Sequence, residues 1–295
     1  MFIEHPTHRA RKRFGQNFLH DQRIIERIIR AINPKSGQAV VEIGPGQGAL
    51  TVPLLQAAQP LHAIELDRDL AQWLNQQLKK QGLVLIEADA LKFDFAALAN
   101  EIGNGQRLRI VGNLPYNIST PLMFHLLAQR EAVFDMHFML QKEVVDRLGA
   151  EPGNKDYGRL SVMMQYLCDV QPLFDVPPDA FNPPPKVTSA IVRLVPHHGV
   201  NPYGETSVAT LDRLLRCAFH SRRKTLRNNL KAMLSVEQMD AIDINWQLRP
   251  EQLSVAEYIR LSQQLPASIT IDAGNIHPND SHPNDSHTDN TSYEE

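Results

Sequence analysis

Cysteine is scarce in this chain of 295 residues. The two present, Cys168 and Cys217, match no metal-ligand spacing and no disulfide framework, and no metal is expected. No apolar run approaches the roughly 20 residues that a membrane-crossing helix needs. The opening Met1-Phe2-Ile3-Glu4-His5 lacks the apolar stretch of a secretory leader. These absences argue against a membrane protein and a disulfide scaffold, and the expected compartment is the cytosol. The C-terminal stretch is acidic without any basic counterpart. Pro266 to Glu295 has six acids, Asp272, Asp280, Asp285, Asp289, Glu294 and Glu295, and no Lys or Arg.

The whole chain carries a net charge of −3, with 30 basic and 33 acidic residues. Without the acidic tail the body is therefore near +3. Its basic residues cluster twice: Arg9, Arg11, Lys12 and Arg13, and then Arg213 to Lys231, with Arg216, Arg222, Arg223, Lys224 and Arg227 between. A single run of this kind is usually a solvated helix face. Two in one chain point toward a polyanion such as nucleic acid. A hydrophobic fraction of 42% against a charged fraction of 21% is that of a globular protein, and the length suffices for two domains.

Along the chain, Ile24, Ile25, Ile28, Ile29 and Ile32 recur at helical spacing, with Asp21 placed to cap the helix and Asn33-Pro34 to stop it. Short apolar runs then alternate with helical patterns: Ala39–Ile43, Leu61–Ile64, Val84–Ile86, Leu108–Val111 and Val133–Leu140 each precede a helix. Strand-then-helix units of this kind predict an α/β fold with a doubly wound, mostly parallel sheet. Val162 to Val170 and Ala190 to Val195 read as two further strands separated by the proline-rich stretch Pro172 to Pro185. Pro196 to Gly204 reads as a linker, and Val208 to Leu265 as a small helical unit with Leu211, Leu214, Leu215, Ala218 and Phe219 on one face. The tail repeats His-Pro-Asn-Asp-Ser at 277–281 and 282–286, a composition of disorder. Four segments are expected: a basic segment 1–20, a main domain 21–198, a helical domain 199–265 and an acidic tail 266–295.

Two places carry chemistry. The first strand runs into Gly44-Pro45-Gly46-Gln47-Gly48-Ala49, where glycines let a ligand approach the backbone. Glu65 ends the second strand, placed to accept hydrogen bonds from ribose hydroxyls, and Asp89 follows the third, within reach of an adenine amine. An adenosine-containing cofactor is implied. Gly44, Gly46 and Ala49 also satisfy a permissive dinucleotide fingerprint, so a nicotinamide oxidoreductase remains open. The acid at 89 and the position of Asn113 at the end of the fourth strand favour S-adenosylmethionine. The second place is Asn113-Leu114-Pro115-Tyr116. Its amide oxygen and a backbone carbonyl can accept both hydrogens of an exocyclic amine, and the tyrosine ring can stack on the heterocycle that bears it. The bland reading of these four residues is a strand-to-helix turn.

These blocks, in order, resemble the bacterial small-subunit ribosomal RNA adenine dimethyltransferases. The resemblance runs through Arg11-Lys12-Arg13-Phe14-Gly15-Gln16-Asn17-Phe18-Leu19, Val41-Glu42-Ile43-Gly44-Pro45-Gly46, Ile64-Glu65-Leu66-Asp67 and Gly112 to Thr120. It continues through Gln141 to Val145, Tyr157 to Val162, Phe181 to Val187 and Arg222-Arg223-Lys224-Thr225, and stops near Leu265. It implies a Rossmann-like S-adenosylmethionine-dependent methyltransferase sheet with a small C-terminal all-α domain. It also implies transfer of two methyl groups to each of two adjacent adenosines in the 3′-terminal hairpin loop of 16S rRNA, in a nearly complete pre-30S particle. Cofactor contacts carried over fall on Asn17, Leu19, Gly44, Glu65, Asp89 and Asn113. Catalytic roles fall on Asn113 and Leu114, which accept the amine hydrogens, and on Tyr116 and Phe181, which stack on the base. For Phe181 a packing role is an equal alternative. RNA docking is expected of Arg222, Arg223, Lys224 and Arg227, then of Arg11, Lys12 and Arg13. A factor that binds RNA without catalysis is the remaining alternative, and the acidic tail departs from the family pattern.

Overall fold

The computed structural model describes residues 17–265. The basic residues Arg11, Lys12 and Arg13 and the acidic tail lie outside the described residues. Strand β1 (Phe18–Leu19) leads into helix α1 (Gln22–Ile32). The Asp21 carboxylate accepts the N–H groups of Arg23 at 2.8 Å and Ile24 at 3.2 Å, two of the four amides that a helix start leaves without partners. Asn33, left-handed at φ 47°, closes the helix ahead of Pro34.

Strand–helix pairs follow: β2 (Val40–Ile43) and α2 (Thr51–Ala57), β3 (Leu61–Glu65) and α3 (Arg68–Leu78), β4 (Leu83–Glu87) and α4 (Phe95–Ile102). Then come β5 (Leu108–Asn113) and α5 (Ser119–Ala128), and β6 (Val133–Gln141) and α6 (Lys142–Leu148). Helix α7 (Arg159–Leu167) precedes β7 (Cys168–Val176), β8 (Phe181–Asn182) and β9 (Ser189–Pro196). The rest is helical: α8 (Val208–Ala218), α9 (Leu226–Leu230), α10 (Val236–Asp240) and α11 (Val255–Gln263). No helix among the described residues is long and apolar enough to cross a membrane.

Seven strands form one sheet in the order β4-β3-β2-β5-β6-β9-β7. β4 through β6 are mutually parallel, and β9 and β7 are added antiparallel. The alternating apolar runs explain why both faces are covered. Val41, Ile43, Ile110, Met136 and Phe138 go to one core, with α4 to α8 and α11. Val40, Ala63, Val111 and Met139 go to the other, with α1, α2 and α3. The helices after Pro196 thus pack on the core that the sheet already builds. The segment read as a linker is stitched to α7: Asn201 Nδ2 donates to Tyr166 O at 2.8 Å and Tyr166 Oη to Thr206 O at 2.9 Å.

Around β7 the structure departs from the sequence expectation at both ends. Val162 to Leu167 belongs to α7, and the strand begins only at Cys168. The cause is burial on all sides: Val162, Met163, Met164, Tyr166 and Leu167 are all buried, which erases the periodicity that separates a helix from a strand. Pro172 lies inside β7 rather than in a loop, tolerated because β7 is an edge strand with a register shift at Pro172/Phe174.

Below the sheet, Asp135 of β6 is fully buried and accepts Arg109 Nε and Nη2, each at 2.9 Å, and Arg193 Nη2 at 3.1 Å. Burial opposes its ionisation, yet the Arg109 hydrogen bonds and the flanking guanidinium charges prevail and hold its pKa below the usual range. Arg109 also donates to Ile32 O at 2.8 Å and Asn33 O at 3.3 Å, which ties the end of α1 to the middle of the sheet. Asp135→Ala leaves the largely buried Arg109 without its counter-charge, and a loss of about 3–5 kcal/mol in unfolding free energy is expected. Chemical denaturation measures it; a loss below ~1 kcal/mol would show that the cluster is not the anchor described.

Candidate active site

β2 is the strand at which the sheet's winding reverses: its parallel neighbours are β3 on one side and β5 on the other. The loops leaving the carboxyl ends of β2 and β5 diverge there, and a crevice opens between them. A cavity of about 340 Å³ occupies that crevice, within the range of small-molecule sites. Asn17, Phe18, Leu19, Gly44, Gly46, Glu65, Asn113, Leu114, Tyr116 and Phe181 all line it.

The glycine loop needs its glycines. Gly44 and Gly46 have φ of 66° and 56°, values that a side chain strains. A Cβ on Gly46 would also meet the Phe18 ring at 3.4 Å. The loop is held by Glu65, whose Oε2 accepts Gly46 N–H at 3.2 Å while Oε1 accepts Asp67 N–H at 2.9 Å. Burial raises the Glu65 pKa, against these amide bonds. A carboxylate has about four lone-pair sites, so Glu65 retains acceptors for ribose hydroxyls.

β5 approaches β2 closely at Gly112, where a Cβ would lie 2.7 Å from the Ile43 carbonyl oxygen. The next residue, Asn113, therefore stands at the crevice mouth. Its Nδ2 donates to the Asn17 carbonyl at 3.2 Å. A carbonyl can only accept, so the amide's NH2 faces Asn17 and Oδ1 faces the other way, with no partner among the described residues. The Leu114 N–H is bound to Met139 O at 3.3 Å, and the Leu114 carbonyl is likewise unengaged among the described residues. Pro115 has no N–H and a fixed φ, which stiffens the turn. Tyr116 Oη and Ser189 Oγ are 2.8 Å apart. The ring is thus held at the cavity.

Phe181 lines the cavity but is only 3% exposed, since β8 pairs antiparallel with β1, Leu19 facing Phe181. Most of the ring is core, and one part reaches the cavity. The structure does not bring Asp89 to the cavity wall. Its Oδ1 accepts Leu91 N–H at 3.0 Å, and Oδ2 lies 3.9 Å from Lys92 Nζ. In the basic cluster Arg222, Arg223 and Lys224 are exposed. Arg222 Nη2 donates to Tyr157 O at 3.0 Å, and Arg227 lies 3.9 Å from Asp240. None of the four lines the cavity.

Sequence reasoning missed Phe18 and undervalued Glu42. Glu42 lines the cavity, is 2% exposed, and leaves Oε2 without a hydrogen-bond partner. The Gly46 N–H goes to Glu65 rather than to Glu42. Burial pushes its pKa up to about 8, the Thr51 hydroxyl opposing from outside hydrogen-bonding geometry and the Glu65 charge adding to the rise.

The comparisons with known proteins agree with this geometry. A model of the ribosomal RNA adenine dimethylase family matches residues 7–266. The chain belongs to that family. It is 55% identical over 275 residues to the ribosomal RNA small subunit methyltransferase A of Marinobacter nauticus, covering 93% of this chain and 96% of that protein. To the protein of the same name from Pseudomonas aeruginosa it is 57% identical over 259 residues, 88% of this chain and 95% of that one. A dimethyladenosine transferase from Plasmodium falciparum superposes with TM-score 0.68 at 28% identity, over 83% of this chain and 95% of that chain. The 23S rRNA methyltransferase ErmE shares the fold, with TM-score 0.64 at 24% identity over 84% and 99% of the two chains. As a member of this family the chain is a methyltransferase of ribosomal RNA adenines, which displaces the nicotinamide and non-catalytic readings.

Glu42 gives this dimethylase a pH signature. Its carboxyl keeps a proton in the folded protein that the unfolded chain releases between pH 4.5 and about 8, so its contribution to stability falls as pH rises through that window. Glu42→Gln removes the effect. The cofactor-free variant should gain melting temperature over the parent progressively from pH 5 to pH 8; parallel curves would contradict a buried, protonated Glu42.

Proposed function

We propose that this dimethylase acts on the exocyclic amines of two adjacent adenosines in the 3′-terminal hairpin loop of 16S rRNA, within the pre-30S particle of the cytoplasm, with S-adenosylmethionine as methyl donor. The observation that carries the reading is the pair of acceptors, Asn113 Oδ1 and Leu114 O, unengaged among the described residues, on the cavity that also holds the Gly44 loop and Glu65.

The residues fit the donor. Gly44 and Gly46 clear space along the backbone, Glu65 offers acceptors to ribose hydroxyls, and Asn17, Leu19 and Asn113 wall the rest. Asp89 does not line the cavity itself, but with only Oδ1 on an amide its carboxylate keeps acceptors for the adenine amine of the donor. When bound, S-adenosylmethionine supplies an electrophilic methyl group. The difficulty for the protein lies in the acceptor, because the lone pair of adenine's amine is delocalised into the ring. In the first transfer Asn113 Oδ1 and Leu114 O accept the two amine hydrogens and localise that lone pair on nitrogen; in the second a single hydrogen remains for one of them, and each methylated nitrogen then gives up its excess proton to water. The Asn17 carbonyl fixes which end of the Asn113 amide is presented. Tyr116 stacks on one face of the base, and the cavity edge of Phe181 on the other. Stacking is worth ~1–3 kcal/mol per base, comparable with the few kcal/mol that extruding a base costs. A loop base, already unpaired, lowers that cost. The fixed parts provide position rather than a strong base, and the motif accordingly contains no His or Cys.

The exposed Arg222, Arg223 and Lys224, with Arg227, supply sequence-blind phosphate contacts. Arg222 spends one N–H on Tyr157 O and keeps the remainder of its fork.

Asn113→Ala should abolish methyl transfer to small-subunit particles while the melting temperature of the cofactor-free protein stays within a few degrees of the parent; near-normal transfer would sink the assignment. For docking, Arg223→Ala with Lys224→Ala should flatten the plot of log affinity for small-subunit RNA against log salt by roughly 1.5. An unchanged slope would remove the cluster from the RNA interface.

A further inference from the structure

Tyr116 projects from the turn between β5 and α5, and a ring on a turn is fixed at one end only. Here it is fixed at both. Ser119 Oγ donates to the Tyr116 carbonyl at 3.0 Å, holding the backbone. At the far end the Tyr116 hydroxyl meets Ser189 Oγ at 2.8 Å. Ser189 is fully buried and opens β9, pairing with Gln141 of β6 on one side and Val176 of β7 on the other. The residue before it, Thr188, accepts Lys142 N–H at 2.9 Å through its carbonyl. The serine hydroxyl is therefore a fixed point of the sheet, reached by the tyrosine across the site.

We propose that Ser189 is a positioning residue for the methyl-transfer reaction: it pins the Tyr116 ring on the cavity wall in the free enzyme, so that the stacking face is in place before an adenine arrives. The inference rests on the reading of Tyr116 as the residue that stacks on the target base. The sheet supplies what the turn lacks. With the hydroxyl released, both side-chain torsions of Tyr116 regain freedom, and the capture of each base must then freeze them. Burial raises the Tyr116 pKa, with the Ser189 bond opposing, so the phenol keeps its proton at neutral pH and remains a hydrogen-bond partner. Ser189 does not line the cavity, so its effect on a base runs through the ring alone.

The test is a double-mutant cycle with an outside control. Methyl transfer to unmethylated small-subunit particles is measured as kcat/KM for Ser189→Ala, Tyr116→Phe, the double variant and Tyr116→Ala, with S-adenosylmethionine affinity measured by calorimetry on each. Ser189→Ala and Tyr116→Phe cut the same hydrogen bond from opposite ends. Each should lose roughly two- to tenfold, and the double variant should lose no more than the larger single loss. Tyr116→Ala should lose more than either, and cofactor affinity should not change. Multiplying losses in the double variant, which is what mere weakening of the sheet at Ser189 would give, would overturn the proposal. So would parental activity in either single variant. If Tyr116→Ala retains parental activity, the stacking reading itself fails, and this inference fails with it. If Tyr116→Ala is impaired while the two single cuts are silent, only the inference falls.

Discussion

The site depends on one constraint of strand order. β2 lies between β3 and β5, and the chain cannot leave both carboxyl ends in the same direction. A crevice is forced open there, lined by backbone groups that no further strand can pair. Gly112 makes the constraint tight: with no Cβ, β5 lies against the Ile43 carbonyl and delivers Asn113 beside the Gly44 loop. The Gly44 loop and Asn113 are neighbours because two strands are neighbours.

Around that crevice each functional group is held by a second, distant one. Glu65 grips the Gly46 amide, the Asn17 carbonyl orients the Asn113 amide, and Ser189 meets the Tyr116 hydroxyl. The cavity is thus prepared from the two-stranded β1–β8 pair on one side and from the sheet on the other. The proposed recognition of an amine by two acceptors demands such preparation, since a misplaced acceptor leaves the adenine lone pair in the ring. The same logic gives a reason for the small amount of ionisable chemistry used. In the proposed reaction, position and hydrogen bonding do what a general base would otherwise do.

What was legible in the sequence was what is contiguous. The alternation of strands and helices, the glycine turn and Asn113 to Tyr116 are local patterns, and each is where it was expected. What was not legible depends on pairing across the chain. The partner of Asn113 lies 96 residues away and that of Tyr116 73 residues away, and nothing in a serine before a strand announces it. Val162 to Leu167 misled because a helix buried on every side has lost its period. Phe181 read equally well as packing or stacking, and it turns out to sit at the border of the two, its ring in the core and its edge at the cavity. Asp89 follows the third strand as expected, with one oxygen spent on the Leu91 amide.

The central claim, that this crevice methylates adenines of 16S rRNA, is tested most directly by the product. Small-subunit particles from cells lacking the modification, incubated with the purified protein and labelled S-adenosylmethionine, should yield N6,N6-dimethyladenosine at two adjacent positions of the 3′-terminal hairpin loop when the RNA fragment is sequenced by mass spectrometry. Label confined to another RNA, or no label on RNA from protein that demonstrably binds S-adenosylmethionine, would contradict it.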